Sequence, residues 1–112
     1  MPERQDSAVT SIKQHVSIEV FAWLTRYVGG IGGGRMFFTE EFATGDDIKT
    51  VVRKLTRRFP DLDQILWDSE NGQIGASVEI IINDAFLGIT HTITSEVRDG
   101  DMITLLPAWD GG

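Results

Sequence analysis

The sequence closes on Gly111-Gly112, shortly after Met102-Ile103-Thr104-Leu105-Leu106-Pro107, a run that reads as a buried strand meeting a proline. The chemistry on offer is that of a carboxylate, the α-carboxyl group of Gly112, at the tip of a short stalk with no bulky group at its end. Glycine lacks a Cβ, so the last two residues can pass through a narrow slot and expose the carboxyl carbon from every side. The stalk of Pro107, Ala108, Trp109, Asp110, Gly111 and Gly112 spans at most about 20 Å when extended. Pro107 stiffens its base.

Other residues with catalytic potential do not assemble. His15 and His91 are the two histidines, and neither has a Glu or His beside it at metal-ligand spacing, so both read as surface histidines and no metal site is expected. The run Gly29-Gly30-Ile31-Gly32-Gly33-Gly34 invites comparison with a phosphate-binding loop. It lacks the Lys-Ser/Thr ending, and it precedes a strand where such a loop needs a helix N-terminus. It reads instead as a flexible hairpin connection. Glu40-Glu41 and Asp46-Asp47 read as solvating and helix-start charges. The residues supply no nucleophile, base or metal of their own, so a self-sufficient enzyme is not expected.

Composition narrows the partners. The chain has 112 residues, 41% apolar and 9% aromatic, which suits one globular core. A net charge of −7 argues against nucleic acid and anionic membrane, whose binding rests on Lys and Arg neutralising phosphates. A basic protein surface would be attracted. With no cysteine, disulfides, thiolate metal sites and covalent sulfur on a side chain are excluded. Any sulfur chemistry must come from a partner. The polar start lacks the apolar region of a signal peptide and no stretch approaches the ~18 apolar residues of a membrane span, so a cytoplasmic soluble protein is expected.

The stalk needs a body to carry it. Residues 1–14 read as a flexible extension, 15–106 as one domain and 107–112 as a flexible tail. From His15, Val16, Ile18, Val20 and Ala22 alternate with Ser17, Glu19, Phe21 and Trp23, a strand with two aromatics on the face away from the core. Thr25 to Val28 continues that region. Met36 to Phe42 reads as an edge strand in a hairpin with the first. A helix follows, with Thr44 as N-cap and Asp47 three positions on; Ile48, Val51, Val52, Leu55 and Phe59 recur at helical spacing, and Pro60 ends it. Lys54, Arg57 and Arg58 in its last turns read as a solvated face that complements the helix dipole. Leu62 to Trp67 suggests a helical turn that packs Leu62, Ile65 and Leu66 on the sheet. Ser77 to Ile82 is the most β-like segment, Asn83-Asp84 a tight turn, Ala85 to Ile89 a brief strand, and Asp99-Gly100-Asp101 a turn into the last strand. The order is ββαβββ, an α+β pattern.

That order, with Val97-Arg98-Asp99-Gly100-Asp101, the strand Met102 to Leu106, Pro107 and the terminal Gly111-Gly112, resembles the ThiS/MoaD sulfur carriers of the ubiquitin-like β-grasp superfamily. The stretch Asp68 to Ile74 resembles the longer carriers, including those serving cysteine synthesis. The glycine loop and Trp109-Asp110 depart from the common pattern. The resemblance implies a mixed four- to five-stranded sheet packed on one main helix, with first and last strands adjacent and parallel. It implies a protein co-substrate, or the small subunit of a sulfur-transferring synthase. An ATP-using activating enzyme would adenylate Gly112, and a sulfur donor would convert it to a thiocarboxylate for a sulfur-accepting synthase. No cofactor is bound by the chain itself; the ATP belongs to the partner. If Ile103 and Leu105 face the helix, Met102, Thr104 and Leu106 share the other face with Phe21 and Trp23, joined by Ile81 and Phe86. In the molybdopterin-synthase type of carrier the residues matching Phe21, Phe86 and Leu106 face the partner enzyme. The alternatives are a ubiquitin-like modifier joined to target lysines through Gly112, and a β-grasp interaction module that never uses its terminus.

Overall fold

Alternation along the strands decides which side of the sheet is buried. In the computed structural model, which describes residues 13–108, β1 (Gln14–Phe21) places Val16, Ile18 and Val20 in the core. β2 (Arg35–Phe42) runs antiparallel to it at the sheet edge. Two helices follow, α1 (Ile48–Arg58) and α2 (Pro60–Leu66), then β3 (Val78–Ile82), the two-residue β4 (Ala85–Phe86) and β5 (Met102–Pro107). The sheet order is β2-β1-β5-β3-β4. β1 and β5 pair in parallel, with Ile18 opposite Ile103 and Val20 opposite Leu105; the other neighbours are antiparallel. This is the mixed five-stranded β-grasp arrangement that the resemblance implies, and it keeps the α+β order of the residue pattern.

One face of the sheet carries the core. Val16, Ile18, Val20, Ile80, Ile82, Ile103 and Leu105 pack with Ile48, Val51, Val52 and Leu55 of α1 and with Leu62 and Leu66 of α2. Removing these side chains from water supplies most of the drive to fold, at about 25 cal/mol per Å² of apolar surface. α1 and α2 meet at a polar contact inside this core: the buried Thr56 hydroxyl accepts a hydrogen bond from the Trp67 indole N–H at 3.2 Å.

Several expectations are corrected. Ala22 to Val28 is a 3-10 helix that leaves the sheet; Ala22 has a φ of 60°, outside the strand region, so Ala22 and Trp23 do not continue the alternation of β1. The N-cap of α1 is Asp47, whose carboxylate accepts from the Thr50 N–H at 2.8 Å. Thr44 lies further upstream, where its hydroxyl accepts from the Gln14 side chain. Asp46 closes a turn on Ala43, so the helix begins after that turn. Pro60 ends α1 and starts α2. Glu40 is buried on the helix-facing side of β2 and pairs with Arg58, so these two are joined rather than separately solvated. Lys54 donates to the Glu41 carbonyl at 2.8 Å. Beyond Phe86 the expected strand to Ile89 gives way to a turn.

Most of the N-terminal extension, through residue 12, and all of Trp109, Asp110, Gly111 and Gly112 lie outside the described residues. Pro107 belongs to β5, opposite Val78, and the Ala108 N–H donates to the Ser77 carbonyl at 2.9 Å. The sheet therefore holds the first two residues of the expected stalk.

Candidate functional site

Among the described residues no helix packs on the other face of the sheet, and the register reveals its contents. Cross-strand partners point to the same side of a sheet. Phe37, Glu19, Thr104, Ile81 and Phe86 therefore form one row across all five strands. Beside it lies a second row: Arg35, Phe21, Leu106 and Glu79, with Phe21 set next to Leu106 when the parallel register is carried one step past Val20 and Leu105. Ser17 and Met102 form a third. The face thus brings together Phe21, Ile81, Phe86, Met102 and Leu106. Phe37, Phe86 and Phe21 are 58, 46 and 39% exposed. Trp23 is not part of these rows. It sits in the 3-10 helix, with its ring edge-on to Tyr27 at 6.0 Å.

Phe37 was not legible as part of this face, because β2 carries phenylalanines at both parities: Phe38 and Phe42 turn toward the helices while Phe37 turns away. Only the pairing of Phe37 with Glu19 assigns the side. Glu19 is the second surprise. It lies buried at the centre of the apolar rows, where its carboxylate accepts from the Arg35 guanidinium at 3.1 Å and from the Thr104 hydroxyl at 3.2 Å. Arg35 also leans over the Phe21 ring, 5.9 Å from its centroid. The face is an aromatic and aliphatic surface around one neutralised ion pair.

Among the described residues no three metal-ligating side chains cluster. His15 approaches Glu41 at 3.8 Å, and His91 meets the neighbouring Thr90 hydroxyl at 2.8 Å. Among the described residues no helix is long and apolar enough to cross a membrane. What the geometry offers is a largely apolar face whose central strand, β5, runs to Pro107.

No protein-family model matches the sequence. Sulfur carrier protein CysO of Mycobacterium tuberculosis is 31% identical over 71 residues, which span 62% of this chain and 76% of that protein. The chain belongs to the ubiquitin-like sulfur carrier family. Among solved structures, this carrier shares its fold with small archaeal modifier protein 1 of Methanosarcina acetivorans, at a TM-score of 0.68 and 20% identity, over 91% of this chain and 100% of that one. It also matches the Amycolatopsis orientalis BexX/CysO complex at a TM-score of 0.63 and 23% identity, over 87% of this chain and 99% of that one.

Proposed function

We propose that this sulfur carrier is a protein co-substrate whose Gly112 carboxylate is the reacting group. A partner adenylating enzyme directs a carboxylate oxygen onto the α-phosphorus of ATP, releasing pyrophosphate and leaving an acyl-adenylate. A sulfide-level donor then attacks the acyl carbon and displaces AMP with loss of a proton, which leaves a thiocarboxylate. A synthase in cofactor or amino-acid biosynthesis takes up that sulfur. ATP belongs to the partner enzyme, and the chain's own contribution is presentation.

The observation that carries this reading is family membership with a sulfur carrier at 31% identity. The sheet supports it. β5 is paired on both sides and ends at Pro107, and the Ala108 N–H donates to the Ser77 carbonyl, so the sheet holds the chain to within four residues of Gly112. Four residues reach at most roughly 14 Å, enough to enter an enclosed site while the body stays outside. The face formed by Phe21, Ile81, Phe86, Met102 and Leu106, with Phe37, is the docking surface in this proposal, and Trp23 on the adjoining 3-10 helix flanks it. The Amycolatopsis orientalis BexX/CysO complex, whose fold this chain shares, supports a carrier that works in complexes.

Intact-mass measurement of the protein from its own cells tests the proposal. A C-terminal gain equal to the difference between one sulfur and one oxygen is expected. Gly-Gly remnants on lysines of other proteins, with no such gain, would favour the modifier reading instead.

A further inference from the structure

The glycine run between the 3-10 helix and β2, expected as a flexible hairpin connection, is tied by hydrogen bonds to that helix. Thr25, fully buried in the 3-10 helix, grips it from within. Its carbonyl accepts from the N–H groups of Gly29 and Gly30, its hydroxyl accepts from the Gly32 N–H at 3.0 Å, and the same hydroxyl donates to the Gly33 carbonyl at 3.2 Å. Gly30 sits where a Cβ would come within 2.7 Å of the Met36 sulfur and 2.9 Å of Thr25, so no larger residue fits without displacing the clamp. Between the two gripped positions stands Ile31, 96% exposed. An ordered run of glycines gives up more backbone entropy than any other sequence. A fixed arm of this kind with a bare isoleucine at its apex requires an explanation.

Position and charge supply one. Because β1 and β5 run parallel, the chain leaves β1 toward this loop at the same end of the sheet where β5 leads into the tail. From Val20 to Thr39 there is no Asp or Glu, and Arg26 and Arg35 are the charged residues, in a chain whose net charge is −7. Arg35 is engaged by Glu19, whereas the Arg26 guanidinium lies along the loop, 3.1 Å from where a Cβ on Gly32 would stand. The loop is thus an apolar segment with the Arg26 cation along it on an acidic molecule, while Glu79 lies further across the sheet, in the row of Phe21 and Leu106.

We infer that the glycine loop is a preset arm whose Ile31 enters an apolar socket with an acidic rim on the adenylating enzyme, fixing the carrier beside the site that receives Gly112. The inference rests on the carrier reading above. Thr25 acts as a positioning residue, because it holds the arm without touching the partner.

The test measures ATP–pyrophosphate exchange by the adenylating enzyme of the same cells, with the full chain as varied substrate. Ile31→Asp is expected to raise KM about ten- to hundred-fold with kcat little changed, and Arg26→Glu to raise KM most at low salt. Thr25→Val is expected to raise KM with Ile31 intact, while Thr25→Ser, which keeps the hydroxyl, restores it. Thermal unfolding of Ile31→Asp should match the unaltered chain, since the side chain is already in water. An unchanged KM for either Ile31→Asp or Arg26→Glu overturns the inference and leaves the carrier reading standing, as would a change in oligomeric state alone. Failure of the unaltered chain to support exchange overturns both.

Discussion

Glu19 shows how much a single residue depends on its neighbours across the sheet. Read along β1, it is a polar residue alternating with valines and isoleucines, and nothing sets it apart from a solvated glutamate. In the folded chain it sits between Phe37 and Thr104 in the middle row of the sheet face opposite the helices, largely withdrawn from water. A carboxylate so placed is costly unless its oxygens are engaged. Arg35 and Thr104 each satisfy one of them. Arg35→Met removes the countercharge while leaving the carboxylate in place, and it is expected to destabilise the fold by about 1–2 kcal/mol, below the range for a fully buried pair because the Arg35 side chain is itself largely exposed. The double variant Glu19→Met with Arg35→Met should recover most of that loss, since no charge is left unpaired. Urea midpoints of the three proteins check this, and a double variant weaker than Arg35→Met alone would show that the stabilisation lies elsewhere.

Among the elements, those with a strong apolar period were legible from the residues alone. Val16, Ile18 and Val20 mark β1, Val78, Ile80 and Ile82 mark β3, and Ile48, Val51, Val52 and Leu55 mark α1, because burial on one side imposes the period. The errors fall where local geometry overrides it. Ala22 looks like the next core position of β1, yet its left-handed backbone turns the chain into the 3-10 helix, and its N–H closes on the Gly34 carbonyl at 2.7 Å. Thr44 and Asp47 are both good capping residues, and the turn built by Asp46 decides between them. The contact that ties α2 to α1 was not legible, because neither Thr56 nor Trp67 announces its partner. Arg53 covers the Trp67 ring at 4.6 Å, and Thr56 supplies the only acceptor for the indole among the described residues. Thr56→Val is nearly isosteric and leaves a buried N–H without a partner, so a loss of about 1–3 kcal/mol is expected. Thr56→Ser should lose far less. Denaturant unfolding separates them, and equal stability of the two variants would remove the hydrogen bond from the account.

At the scale of the whole molecule, the sheet separates the residues of the core from those of the proposed docking face. Ile103 and Leu105 of β5 point into the core and are fully buried, while Met102, Thr104 and Leu106 point to the helix-free face. Adjacent residues of one strand therefore answer to different demands. Leu105→Asp would bury an unpaired charge in the core beside its cross-strand partners Val20 and Ile80, which few domains of this size survive. Leu106→Asp and Phe21→Asp place the charge at a surface that already meets water, so each variant should fold with a melting temperature within a few degrees of the unaltered chain. Their cost should appear in the partner complex, where the aspartate must be desolvated against an apolar surface: at least a tenfold weaker affinity for the adenylating enzyme is expected. Circular dichroism and calorimetric binding, run on the same three samples, decide the matter. Unaltered affinity for both Leu106→Asp and Phe21→Asp would move the docking surface off this face. Loss of fold in either would show that the face is structural after all, with the aromatic rows held together for the sake of the sheet itself.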